Sequence, residues 1–533
     1  MNNADLIVAT LRAAGITHGF GVPSGNVLPL MEAMRTGGID FVLTAHEGSA
    51  GFAADVTARM TGNPGLCIAT LGPGATNLAT GVGCAFLDRS PLIAITCNLN
   101  RPQFGRRLQM GIDHHALFKP ITKATLPLRP GNVAAMLAAA LRTALSEPQG
   151  PVHLDLPEDV ALAPANEPVP ALPGPEPVAP AANEAIAQAA DVIRKSTRPM
   201  VVIGATAMRM RAPESLRAFV ERHGIPFATT TMAKGLIDED HALAIGCIER
   251  ANRQAQRALL RGADLIIGLG YDTVEVEYEA WAGNVPVLNI DIELADVDAT
   301  VNVVHEVVGD LDASVERLAA LPAMRNAWLP EVLRRHRNEF QRSLRPSTTH
   351  FSPHQAIDVV RRLLPRNGVL AFDVGAHTHQ IAGQWAAHAP RTFLITNGWS
   401  SMGFGIPAAI AAKIARPDLP VVCIVGDGCF QMTCGELAVA RRHNLAIPFI
   451  VLDDRWLSLI KIKQERRSLE IYCTELLPDE YAQPPAHYFG VPAASARTPD
   501  ELERGLAKAL SANGPTVIEA VVDPAHYSQT VYD

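Results

Sequence analysis

Val421-Val422-Cys423-Ile424-Val425-Gly426-Asp427-Gly428-Cys429-Phe430 decides the fold of this chain. Five apolar, mostly β-branched residues without polar alternation predict a strand covered on both faces. The glycines after them predict a tight turn, followed by a helix over about 433–443. The next apolar run, 447–452, ends in Asp453-Asp454, so two successive strands of one parallel sheet are expected. Ligands in such sheets bind beyond the carboxyl ends of the strands. Asp427 and Asp454 therefore reach the same edge. Their hard oxygens, beside a glycine turn and a helix start, suit Mg²⁺ held with a phosphate or diphosphate. The alternative is a solvated turn, where Asp and Gly are ordinary.

The same alternation extends outward along all 533 residues. Apolar runs at 41–43, 66–69, 92–95, 200–203, 265–267, 287–290 and 368–372 are separated by Ala-rich helical stretches. Two segments interrupt them. Residues 161–182 carry seven prolines, which excludes a helix or a central strand and predicts an extended linker. Residues 334–353 are rich in Arg and polar residues and read as a second linker. Three α/β domains follow, each a central parallel sheet flanked by helices, at 1–160, 183–333 and 354–533.

Composition narrows the function. The chain is 48% hydrophobic and 19% charged with net charge −8, which argues against nucleic acid and membrane surfaces as partners. No apolar run approaches the roughly 18 residues of a membrane span. The start lacks a basic leader, and eight Cys without a CxxC suggest buried thiols in a reducing, cytoplasmic setting.

Further strand-end turns carry chemistry. Asp373-Val374-Gly375-Ala376-His377 follows one strand, and Asn397–Pro407 is glycine-rich around Ser401 and Met402. His46-Glu47 follows the 41–43 run, placing a carboxylate where it could be desolvated or merely favour a helix start. Leu71-Gly72-Pro73-Gly74-Ala75-Thr76-Asn77 is another strand-to-helix turn, without the GKS/T of a P-loop.

Together, His46-Glu47, Gly72–Asn77, Gly204 and Gly426-Asp427-Gly428 resemble the thiamine diphosphate-dependent enzymes of the pyruvate oxidase and acetohydroxyacid synthase group. The resemblance covers the chain in the order pyrimidine-binding, central and diphosphate-binding domain. It implies that Glu47 hydrogen-bonds the cofactor's pyrimidine and promotes ylid formation at C2, leading to an enamine with substrate. It implies Mg²⁺ on Asp427, Asp454 and the Trp456 carbonyl. Gly375, Ala376, His377, Gly428 and Cys429 would line the diphosphate, with Gly72, Asn77, Ser401 and Gly426 also at the cofactor and Met402 as the wedge that bends it. The family completes each site from two chains, so a homodimer or homotetramer is implied.

Several positions depart from the family. Asp454 stands where most relatives have Asn. Pro157-Glu158-Asp159 lacks the Lys of acetohydroxyacid synthases, Lys463 replaces a Trp, and 270–275 lacks an Arg, as in the flavin-free catabolic acetolactate synthases. No FAD is expected. Leu108-Gln109-Met110-Gly111-Ile112-Asp113 resembles benzaldehyde lyase and makes Gln109 a candidate active-site donor, whereas His114 and His115 are expected at the surface. Leu457–Gln464 is expected to begin a helix over the site, and the C-terminus to be a lid or a frayed tail. Two activities result: a 2-oxo acid decarboxylase or carboligase of acetolactate synthase type, or a C–C lyase or hydrolase acting on an acyloin or 1,2-dione.

Overall fold

The computed structural model describes residues 1–324, 326–476 and 484–531. The first sheet contains β1 (His18–Gly21), β2 (Asp40–Leu43), β3 (Gly65–Thr70), β4 (Leu92–Asn98), β5 (Ala124–Pro127) and β6 (Pro151–Pro157), in the order β2-β1-β3-β4-β6-β5. The second contains β7 (Pro199–Ile203), β8 (Phe227–Thr229), β9 (Ala244–Cys247), β10 (Leu265–Leu269), β11 (Val287–Asp291) and β12 (Val303–Val308), ordered β12-β11-β10-β7-β8-β9. The third contains β13 (Val369–Phe372), β14 (Phe393–Leu394), β15 (Val421–Gly426), β16 (Pro448–Asp453), β17 (His487–Tyr488), β18 (Val491–Ala496) and β19 (Thr516–Val521), ordered β14-β13-β15-β16-β19-β18-β17. Every pairing is parallel except β17 with β18. Helices flank each sheet, as the continuous apolar runs require: every residue of β3, β4, β7 and β16 is buried.

The first and third sheets share one apolar core. Helix Glu47–Thr61 lies against helix Gly405–Ala415, where Phe52 and Phe404 meet edge to face at 5.6 Å. On its other side it crosses helix Pro73–Leu87 so closely that a Cβ on Gly51 would sit 2.6 Å from the Gly81 Cα. Only glycine fits that crossing.

Two expectations change. The helix after Gly426 starts at once, at Asp427–Thr433, and continues through Cys434–Glu436 into Leu437–Arg442. Asp427 in its first turn complements the helix dipole. The stretch read as a second linker contains most of helix Pro330–Ser343, anchored by Leu333 and Phe340. Residues 163–182 carry no regular element beyond a bridge of Pro164 to Asn2. No helix among the described residues is long and apolar enough to cross a membrane.

Candidate active site

β13 and β15 are neighbours, and their glycine turns face each other at the carboxyl edge of the third sheet. The His377 ring fills the space both glycines leave. A Cβ on Gly375 would lie 2.9 Å from that ring, and one on Gly426 would lie 3.1 Å away. Burial pushes the imidazole down to about 4, so it is neutral, and its buried Nε2 has no hydrogen-bond partner.

A cavity of about 190 Å³ opens beside it, lined by Gly375, Ala376, His377, Met402, Gly426, Asp427, Gly428, Cys429, Asp454 and Trp456. Asp427 accepts from the Gly428 amide at 2.8 Å and the Arg455 amide at 2.6 Å. Asp454 accepts from the Trp456 amide at 2.9 Å and the Ser458 hydroxyl at 2.8 Å. Burial, then repulsion from Asp454 and Asp453, raises the Asp427 carboxyl well above its usual range. Burial pushes Asp454 up to about 7, with Asp453 adding to it. Paired acids this short of compensation, next to an unpartnered imidazole, could hold a divalent cation and a phosphate oxygen.

The neighbouring loop is fixed by Asp373, whose buried carboxylate accepts from Val374, Gly403 and Gly405. This holds Met402 against Gly428, where a Cβ would lie 3.4 Å from the Met402 methyl. Ser400 lines the cavity, whereas the Ser401 hydroxyl turns back to the Met402 carbonyl. Helix Ser458–Arg466 covers one side, as expected. One wall residue was not anticipated: Tyr527, from the short helix Tyr527–Thr530 near the chain end. Asp453, next in sequence to Asp454, is buried and its carboxylate has no hydrogen-bond partner. The final residues, 532 and 533, lie outside those described.

Glu47 belongs to a separate constellation. It is the first residue of its helix, where the preceding His46 accepts from the Gly48 amide. The Asn77 amide donates to Glu47 Oε2 at 3.0 Å. A Cβ on Gly74 would approach Oε1 to 3.3 Å, so the glycine turn after β3 lies against the carboxylate. Glu436, at the end of a 3₁₀ turn in the third segment, accepts from the Ala45 and His46 amides at 3.0 and 3.1 Å. None of Glu47, Gly72 or Asn77 lines the cavity above.

Gln109 is exposed, but the adjacent backbone packs on the turn after β3: a Cβ on Gly72 would lie 2.7 Å from the Met110 carbonyl oxygen. His114 is not a surface residue. It is 1% exposed, with Nδ1 facing Thr96 and Asp155, because β4 and β6 bring polar partners beneath it. His115 is only partly covered.

Three family models match the chain: "Thiamine pyrophosphate enzyme, N-terminal TPP binding domain" over residues 1–117, the central domain over 186–318, and the C-terminal TPP binding domain over 373–520. The chain is 32% identical to a probable acetolactate synthase large subunit of Methanocaldococcus jannaschii, covering 98% of this chain and 92% of the relative. It is 32% identical to the acetolactate synthase large subunit of Parasynechococcus marenigrum, over 98% and 88%. The acetolactate synthase isozyme 2 large subunit of Escherichia coli is 30% identical over 98% and 96%.

Proposed function

Because the chain belongs to the acetolactate synthase-like thiamine pyrophosphate enzymes, we propose that it is a thiamine diphosphate- and Mg²⁺-dependent 2-oxo acid decarboxylase or carboligase. The observation that carries the metal is the pair Asp427 and Asp454 in one buried cavity with the unpartnered His377 Nε2. Asp427, Asp454 and the Trp456 carbonyl would hold Mg²⁺. Gly375, Ala376, His377, Gly428 and Cys429 would receive the diphosphate, and Met402 would support the ring between the two ends. The bound cofactor supplies an electron sink for the carbanion left when CO₂ departs. Glu47, held by Asn77, would move a proton at the pyrimidine.

The cavity is smaller than the roughly 300 Å³ at which whole-ligand sites begin. Together with the separation of Glu47 from it, this supports a homodimer or homotetramer in which each site joins half-sites of two chains. A soluble, cytoplasmic protein fits the same reading. No flavin is proposed. At the carboxyl ends of β7 and β8, Glu275 already accepts from the Ala205 and Met232 amides at 2.9 and 3.1 Å, and Asp272, Asp291 and Glu293 crowd the same region. A dinucleotide phosphate would meet acids there. A flavin spectrum in the purified protein would contradict this reading. The alternative, cleavage of an acyloin or 1,2-dione, rests on Gln109, which the single chain leaves exposed.

The deciding experiment supplies thiamine diphosphate, Mg²⁺ and a panel of 2-oxo acids, acyloins and diones, and weighs the products. CO₂ release from a 2-oxo acid is expected, and Glu47→Gln should lower it by about 10²–10⁴-fold, the usual worth of a positioned acid–base group. Cleavage of acyloins or diones without any CO₂ release would select the alternative.

A further inference from the structure

A cavity of about 520 Å³ lies where the second and third segments meet, and it shares no residue with the cavity that would hold the diphosphate. Its walls come from β9, from helix Pro330–Ser343, from Arg361 on helix Pro353–Leu363, and from the end of helix Ala376–Gln384 with Trp385. The charged residues in the wall are Lys234, Arg337, Arg345 and Arg361 against Glu239 and Asp240.

Both carboxylates are already matched. Glu239 holds the Lys234 ammonium at 2.8 Å, and Asp240 holds Arg366, from outside the wall, at 2.7 Å. Arg345 is matched too, by Asp358 at 2.8 Å. That leaves Arg337 and Arg361, neither of which has an ion pair among the described residues. Arg337 Nη1 donates to the His241 carbonyl at 2.7 Å. Arg361 Nη2 donates to the Leu364 and Pro365 carbonyls at 2.6 and 3.1 Å. Most of each fork of N–H donors therefore remains uncommitted. Asn338 adds a side-chain amide that makes no hydrogen bond among the described residues.

The imbalance is sharpest at Arg361. Its guanidinium stands 4.6 Å from the ring centre of the buried Trp385, which holds it partly out of water. Burial, and then repulsion from Arg366, pull it below its ordinary pKa, and Asp240 offsets this only in part. The group stays charged nonetheless. A partly buried charge without a counter-ion is costly, and an anion in the cavity removes that cost. The donors also set the shape of the anion. One guanidinium fork satisfies a carboxylate, whereas a phosphate has oxygens enough for two forks and an amide. The cavity exceeds the roughly 300 Å³ at which small-molecule sites begin, so it has room for a group attached to the phosphate.

We propose that this cavity binds the phosphate group of a small phosphorylated molecule between Arg337, Arg361 and Asn338, at a site separate from that of thiamine diphosphate. The site goes beyond the function proposed above and does not rest on it.

Inorganic phosphate is the probe. Sodium phosphate is titrated calorimetrically into the full chain, first without and then with saturating thiamine diphosphate and Mg²⁺, against sodium chloride and sodium acetate at equal ionic strength. One phosphate per chain should bind with the cofactor present. Asn338→Glu, at an exposed position with no hydrogen bond to lose, places a further carboxylate in the wall and should weaken phosphate at least tenfold with Tm in chloride unchanged. Asn338→Lys should tighten it several-fold. Arg361→Met keeps an unbranched stem over Trp385, removes the charge, and should also weaken phosphate at least tenfold. No phosphate binding by wild type, equally tight acetate, or unchanged affinity in Asn338→Glu or in folded Arg361→Met would overturn the proposal. Phosphate binding that disappears once thiamine diphosphate is added would place the anion in the cofactor cavity and overturn it as well.

Discussion

His377 depends on what its neighbours lack. The ring stands between Gly375 and Gly426, and a methyl at either would press on it at 2.9 or 3.1 Å. Gly375 has extended backbone at φ 165°, so alanine costs no backbone strain there and only the ring must move. Gly375→Ala is therefore expected to fold with little change in Tm but to bind thiamine diphosphate about tenfold more weakly, near 1.4 kcal/mol, by tryptophan quenching. Asn77 acts on Glu47 in a comparable way. Its amide is the donor that holds Oε2 at 3.0 Å, and Asn77→Ala leaves the carboxylate in place but less restrained. A loss of about tenfold in kcat/KM is expected, less than for Glu47→Gln. Equal losses would mean that Asn77 does more than orient.

The elements carrying these residues are held by two devices, one within the first segment and one between the first and the third. At the crossing of helices Glu47–Thr61 and Pro73–Leu87, Gly51 and Gly81 put backbone against backbone, so an added methyl has no flexible side chain to displace. Overpacking of a fixed core costs about 1–3 kcal/mol, and this crossing sets the relation of Glu47 to Asn77. Gly81→Ala should lower both Tm and turnover, whereas Ala substitution at Gly62, with open space around its Cβ position, should leave turnover alone. The second device is Arg59, whose guanidinium meets Asp55 at 2.6 Å, Asp88 at 2.8 Å and the Ile395 carbonyl at 2.7 Å, while Asp88 accepts from the Asn397 and Gly398 amides. Arg59→Met would leave two buried carboxylates uncompensated, with about 3–5 kcal/mol lost in urea unfolding. These devices also mark what the sequence could show. Strands and glycine turns were legible because continuous apolar runs and strand-end acids are local signals, and Asp427, Asp454, His377 and Met402 do line one cavity. His114 was not legible, since its polar partner Asp155 lies 41 residues away, on β6. The helix over 330–343 was hidden because only Leu333 and Phe340 are buried among its charged residues. Tyr527 reaches the cavity from the far end of the chain, where no local pattern announces it.

At the scale of the whole molecule, buried titratable groups set a pH profile for the metal-free chain. Burial raises Glu275 to about 8 and Asp291 to about 7, from ordinary values of 4.5 and 3.8. The folded chain keeps these protons after the unfolded chain has released them. Stability from them is present at low pH and lost as pH rises through 7 and 8. Burial lowers His153, His379 and His526 to about 3 and His377 to about 4, from 6.5. Those four bind protons only on unfolding, so stability falls as pH drops below about 6.5. Asp454, also raised to about 7, and Asp427, raised well above its usual range, join these carboxyls in the metal-free chain, so between 4.5 and 6.5 the four carboxyls offset the four histidines. Each uncompensated proton contributes about 1.4 kcal/mol per pH unit. Urea midpoints are therefore expected to change little between pH 4.5 and 6.5 and to decline from 6.5 towards 8, where only the carboxyls still differ between the folded and unfolded chain. Asp291→Asn should flatten the alkaline limb and make the midpoint rise with pH between 4.5 and 6.5, because one of the protons that opposed the histidines is gone. A midpoint that keeps rising to pH 8 in wild type would show that these carboxyls are already ionised in the folded chain.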